Sequence, residues 1–232
     1  LQMTANLMRK FGAQVTWEGN TIVVEKGLTG TTQLTMEGDW SAASYWFAFV
    51  ALAKDASLTL PNLPLRSLQG DRVIVDMMEN LGVSCEPRGN QILLRKEESN
   101  SFFAADFSNC PDLAQTIAVV CAAKQIDAEF TGLESLRIKE TDRIAALQQE
   151  LAKIGATLTE SETGKWKLLA PKTLPKEIRV KTYHDHRMAM AFAPLSAIMD
   201  VVIEDPEVTK KSYPNFWKDM ALLGFAMRDE KI

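Results

Sequence analysis

The chain repeats itself, and this restricts its fold more than any other feature. Four glycines, Gly12, Gly82, Gly155 and Gly224, each follow an amphipathic segment and stand 70, 73 and 69 residues apart. Glycine just past a helix end is the usual left-handed cap. A second series runs in phase with the first. Asp39, Asp112 and Asp185, 73 residues apart at each step, open the runs DWSAASYWFAFVALA, DLAQTIAVVCAAK and DHRMAMAFAPLSAIM. Aspartate is a good N-cap, and a helix that is apolar nearly all round belongs in an interior. After each run come a short strand (ASLTLPNL, DAEFTGL, DVVIEDP), a polar loop and the amphipathic helix. Turns such as Glu18-Gly19-Asn20 and Arg88-Gly89-Asn90 join alternating runs as hairpins. One unit therefore reads β–α–β–α–β–β, and the chain holds nearly three of them, an α/β architecture built by repetition.

The ends do not fit whole units. Residues 1–27 read as the α–β–β half of an earlier unit, and the last unit stops at Ile232 with at most one strand after Gly224. The chain also begins at Leu1 rather than at a methionine, so a piece of a longer, truncated parent is expected. Gly27-Leu28-Thr29-Gly30-Thr31-Thr32 reads as a boundary or hinge. With 46% apolar and 24% charged residues over 232 positions, a core is expected that needs no disulfide or metal staple. The net charge of −4 argues against a surface built for nucleic acid or acidic lipid. Cys85, Cys110 and Cys121 have no paired spacing, which suggests a reduced, intracellular chain. The longest apolar stretch, Met188 to Met199, is too short to span a bilayer, and no signal peptide is evident.

Four places carry charges in patterns that invite chemistry. LRIKETDR, residues 136–143, follows a strand and opens a helix, where free N–H groups and the dipole favour an anion. Lys139 and Arg143, at i and i+4, are expected on one helix face, where they repel unless something negative lies between them. Glu140 reads as a capping-box acid, and Thr141 or Asp142 as the cap. Two cations at the positive end of a helix dipole are unfavourable, which favours a phosphate or carboxylate site over a solvated face. Arg187, at the start of an apolar helix, needs a partner, either a ligand or Asp185. Lys210 and Lys211 follow the third strand at the repeat position of Lys139, whereas Asp112 reads simply as an N-cap. His184 and His186, the only two histidines, are too few for a metal site with no cysteine nearby. If the units pack about a pseudo-threefold axis with their buried helices parallel, the helix starts converge on one anion-binding rim containing two carboxylates.

EGDWSAASYW, SLQGDR, KETDRIAAL, DHRMAMAFA and EDP followed by VTKKSYPNF, in this order and spacing, closely resemble the second half of the 5-enolpyruvylshikimate-3-phosphate synthase (3-phosphoshikimate 1-carboxyvinyltransferase) family. The resemblance runs over essentially the whole chain, and KETDR together with DHRMAM is highly specific. It implies two lobes, each of three β–α–β–α–β–β units around a pseudo-threefold axis. Residues 1–37 would close the other lobe, and 38–232 would form most of the lobe that carries both chain ends. It also implies transfer of the enolpyruvyl group of phosphoenolpyruvate to the 5-hydroxyl of shikimate-3-phosphate, releasing phosphate, in the cytoplasm and without metal or organic cofactor. Asp112 matches the aspartate that accepts the hydroxyl proton, and Glu140 the glutamate that protonates the phosphoenolpyruvate methylene. Lys139 matches a lysine beside the shikimate ring, and Arg143, Arg187 and Lys211 match the cations that hold phosphoenolpyruvate. Ser135 stands where the family often has asparagine, at a position implied to contact shikimate-3-phosphate. The remaining phosphate ligands belong to the missing half of the enzyme, so this chain is expected to be inactive alone. Two alternatives stand beside this reading: the sister transferase acting on UDP-N-acetylglucosamine, which lacks the KETDR and DHRMAM pair, and a non-catalytic anion-binding lobe.

Overall fold

A computed structural model describes residues 1–28 and 33–228, so positions 29–32 of the expected hinge lie outside the described residues. Helix α1 (Gln2–Lys10) leads into the hairpin of β1 (Gln14–Glu18) and β2 (Thr21–Lys26), the expected α–β–β start. Its apolar residues, Ala5, Ala13 and Val15, form a small cluster separate from the main core. The first unit then runs α2 (Trp40–Leu52), β3 (Ser57–Pro61), α3 (Ile74–Asn80), β4 (Val83–Arg88) and β5 (Gln91–Lys96), with sheet order β3-β5-β4. The second is complete: β6 (Phe102–Asp106), α4 (Ala114–Ala123), β7 (Asp127–Thr131), α5 (Arg143–Lys153), β8 (Thr157–Glu162) and β9 (Lys165–Leu169). Its sheet order is β6-β7-β9-β8, parallel across β6/β7 and antiparallel beyond. The third runs β10 (Glu177–Val180), α6 (His186–Phe192), β11 (Asp200–Ile203) and α7 (Phe216–Leu222), with β10 and β11 parallel.

The three helices predicted to be buried are the centre of the fold. All ten residues of α4 are buried, as are nearly all of α2 and α6, and the three pack on one another with the sheets outside them. This is the pseudo-threefold arrangement of repeated units that the sequence implied. Pro194 ends the third helix earlier than its apolar run suggests: α6 gives way to a 3-10 turn over Ala193–Ala197, because proline cannot donate to the preceding turn. The repeat glycines Gly12, Gly82, Gly155 and Gly224 all have positive φ, from 84 to 93°. At Gly82 the requirement is double, since a Cβ there would lie 2.6 Å from the Glu97 carbonyl oxygen. Among the described residues no helix is long and apolar enough to cross a membrane.

Candidate functional site

Asp39 and Asp185 do cap their helices. Asp39 accepts from the Ser41 and Ala42 amides, and Asp185 from the Arg187 amide at 2.8 Å. Asp112 does not, which corrects the expectation. Pro111 opens a 3-10 turn, Pro111–Leu113, one residue earlier, so Asp112 lies inside a helical turn rather than at the extended position a cap requires. Its carboxylate is left to tertiary partners. Oδ1 takes Arg143 Nη1 at 2.9 Å and faces Lys139 Nζ at 3.7 Å, and Oδ2 takes Arg187 Nη2 at 2.9 Å.

The KETDR segment departs from expectation in a related way. Helix α5 begins only at Arg143, with Asp142 as its cap accepting from the Ala145 amide at 3.0 Å. Lys139 and Glu140 precede the helix, so Lys139 and Arg143 do not share a helix face and Glu140 closes no capping box. The side chains meet through the carboxylates instead. Arg143, 1% exposed, donates from Nε to Asp185 Oδ2 at 2.6 Å, from Nη1 to Asp112, and from Nη2 to Glu140 Oε2 at 2.6 Å. A buried guanidinium needs its fork filled in this way, because an unpaired charge there costs several kcal/mol.

Arg187 pairs through its side chain with Asp112, not with Asp185, and donates from Nη1 to the Tyr45 hydroxyl at 3.3 Å. Burial pushes that hydroxyl up to about 12 against the pull of Arg187, so Tyr45 remains neutral. Lys211 reaches across from the third unit to Glu140 Oε1 at 2.5 Å. That hydrogen bond, more than any other influence, holds the Glu140 carboxyl down at about 2. Lys210 pairs with its neighbour Glu207 and takes no part. Ser135 lies exposed in the 3-10 turn Glu134–Ile138. His186 is buried beside Asp185, and burial and Arg187 push it below the ordinary imidazole value. Among the described residues no group of three or more His, Cys, Asp or Glu side chains could hold a metal ion.

One neighbour of the cluster has no sign in the sequence, and another pairs with a different arginine from the one expected. Tyr45 sits in an apolar helix and gives no sign in the sequence that its hydroxyl faces a charge. Asp185, expected as a cap and as an ion-pair partner of Arg187, does cap α6, but its second oxygen anchors Arg143 instead. The SLQGDR segment fixes the start of α2: Gln69 accepts from the Trp40 amide at 2.9 Å and donates to the Gly38 carbonyl at 2.7 Å. Asp71 accepts the Ser41 hydroxyl, and its burial raises its carboxyl. The result is one rim, at the starts of α4, α5 and α6, where Lys139, Arg143, Arg187 and Lys211 interleave with Asp112, Glu140 and Asp185. The family model for EPSP synthase (3-phosphoshikimate 1-carboxyvinyltransferase) matches residues 1–220, the whole of this arrangement.

The chain belongs to the EPSP synthase family.

Relatives agree. A 3-phosphoshikimate 1-carboxyvinyltransferase of Bacteroides fragilis is 39% identical over 98% of this chain and 57% of its own length. One from Methanospirillum hungatei is 34% identical over 95% of this chain and 52% of its own. The chain thus spans about half the length of the curated EPSP synthase relatives it matches. Among solved structures, EPSP synthase from Acinetobacter baumannii superposes with a TM-score of 0.72 at 21% identity, covering 98% of this chain and 55% of that one. The enolpyruvyl transferase NikO from Streptomyces tendae gives 0.63 at 15% identity, covering 96% and 52%. These two likenesses establish the EPSP synthase fold. The Bacteroides fragilis and Methanospirillum hungatei relatives are both named for 3-phosphoshikimate and neither for a UDP-sugar.

Proposed function

We propose that this chain supplies most of one lobe of a 3-phosphoshikimate 1-carboxyvinyltransferase of the cytoplasm, with residues 1–37 closing a second lobe and 38–232 forming most of the lobe that carries both chain ends. The separate small cluster of α1, β1 and β2 supports that division. The reaction joins the 5-hydroxyl oxygen of shikimate-3-phosphate to C2 of phosphoenolpyruvate while C3 gains a proton. The C2–O bond to phosphate then breaks, and a proton leaves C3 to restore the double bond. Both substrates are anionic, so cations must hold them, and two carboxyl groups must handle the protons.

The observation that carries the reading is that every candidate cation is occupied by a candidate proton carrier. Arg187 and Lys139 lie on Asp112, and Lys211 lies on Glu140. Substrate phosphates and carboxylates, arriving as stronger acceptors, draw these cations away. Asp112 then becomes accessible to the 5-hydroxyl as proton acceptor. Glu140, released from Lys211, regains the affinity for a proton it needs to serve C3. Arg143 keeps its buried anchor on Asp185 and turns its outer face to phosphoenolpyruvate. Ser135, exposed on the same connection, is assigned to shikimate-3-phosphate.

The test is a phosphate-release assay with both substrates, on this chain alone and on this chain combined with the remaining half of a relative. No turnover is expected alone, because closing two lobes excludes water and completes the cation set. Turnover is expected from the combination. There, Arg187→Ala should raise the apparent KM for phosphoenolpyruvate roughly tenfold to a hundredfold, the worth of a charge-assisted hydrogen bond. Glu140→Gln should lower kcat by at least ~100-fold. An assembled pair that releases no phosphate, or that works on UDP-N-acetylglucosamine instead, would contradict the assignment.

A further inference from the structure

Helix α5 grips the segment 181–185 at two points, and only one of them faces the cation rim. The first is the ion pair of Arg143 with Asp185. The second lies two helical turns on, at Glu150, on the same face of α5. Glu150 is fully buried and carries three donors: the Lys181 amide at 3.1 Å, the Tyr183 hydroxyl at 2.7 Å and Lys153 Nζ at 2.6 Å. Between the two grips the backbone is forced. Tyr183 and His184 have φ of 54 and 57°, two bulky side chains in succession in the left-handed region. Such strain persists only where surrounding contacts over-determine it. His184 itself contributes little anchoring, being 95% exposed with Asp205 Oδ2 lying 3.4 Å from its Nδ1.

The strained pair ends at Asp185, whose amide donates to the Thr182 carbonyl at 2.9 Å and whose carboxylate both caps α6 and holds Arg143. Relaxing Tyr183 and His184 to ordinary dihedrals would swing Asp185, and with it the first turn of α6 that carries Arg187. We propose that Glu150 and Tyr183 are positioning residues, a buried latch that holds this pair left-handed and so fixes Asp185 and Arg187 against Arg143. Neither touches the reacting groups. The inference rests on the anion-site reading only for what Arg187 holds.

The experiment follows the arginine Nε–H groups of the ¹⁵N-labelled chain by NMR, with Arg143 assigned from its loss in Arg143→Lys. In the wild-type chain the Arg143 Nε–H, buried on Asp185, exchanges slowly with water. Tyr183→Phe should speed that exchange roughly tenfold, about the effect of losing one hydrogen bond. Adding His184→Gly, which removes the left-handed penalty at one position, should bring it most of the way back. Unchanged exchange in Tyr183→Phe, or no recovery in the double variant, overturns the latch. Should Tyr183→Phe fail to fold by circular dichroism, His184→Gly alone reads the same claim: exchange no faster than wild type supports it, and faster exchange overturns it. Calorimetry with inorganic phosphate separates the two readings. A wild-type chain that binds no phosphate but shows the predicted exchange pattern overturns the anion site and supports the latch.

Discussion

The starts of α2 and α4 hold the same residue at the same place in the repeat and use it differently. Asp39 precedes its helix in extended backbone and spends its carboxylate on two amides of the first turn. Asp112, 73 residues later, is drawn into a 3-10 turn by Pro111 and has no amide to cap. Its two oxygens serve Arg143, Arg187 and Lys139. A repeat therefore fixes where a carboxylate stands, whereas one proline and the cations of other units decide whether it stabilises a helix or joins a site. The start of α6 lies between these cases, since Asp185 does both.

The largest effect should come from the group that ties these helix starts together. Arg143→Met leaves Asp185 buried and unpaired, and should lower unfolding free energy by about 3–5 kcal/mol in urea titration. A loss within the range of surface substitutions would mean that the Asp185 carboxylate finds another partner. The next effect is the contrast itself. Asp39→Ala should cost about 1 kcal/mol and speed amide exchange at Ser41 and Ala42, as lost caps do. Asp112→Ala should leave amide exchange in the first turn of α4 unchanged; faster exchange there would restore Asp112 to the role of a cap.

The smallest effect on stability concerns Glu140 and has a defined sign. Its folded value of about 2 lies below the ordinary 4.5, so its ion pair favours the folded state at neutral pH. That contribution is complete above about 4.5 and fades as pH falls towards 2. Since Glu140 is partly exposed, solvent screening keeps the contribution small. Lys211→Met should move the Glu140 titration, followed by carboxyl ¹³C NMR, back towards 4.5. A titration that stays near 2 would assign the shift to the backbone hydrogen bond and Arg143 rather than to Lys211.

The architecture was legible because each signal was local or periodic. Glycines past helix ends, two-residue turns and apolar helices recur at one spacing, and each recurs in the structure. The site was legible in membership but not in wiring. The four-residue spacing of 139 and 143 suggests one helix face, yet Asp142 caps α5 and leaves Lys139 outside it. The sequence offers Arg187 its neighbour Asp185, while Asp112 of another unit is its neighbour in space. Tyr45 reads as core in any periodicity argument, since its ring is core and only its hydroxyl meets the rim. Long-range pairing of charges depends on how three units close around their axis, and nothing in a single stretch of sequence encodes that distance.

The measurement that tests the central claim most directly is a calorimetric titration of phosphoenolpyruvate into three chains: wild type, Asp39→Asn and Asp112→Asn. If Asp112 competes with the ligand for Arg187 and Lys139, removing its charge should tighten binding roughly tenfold, the scale of one charge interaction near a protein surface. Asp39→Asn, which keeps a capping side chain at a position with no ion-pair partner among the described residues, should bind as the wild type does. Equal affinities in all three chains would contradict the account, because Asp112 would then be no more part of the site than its counterpart in the first unit.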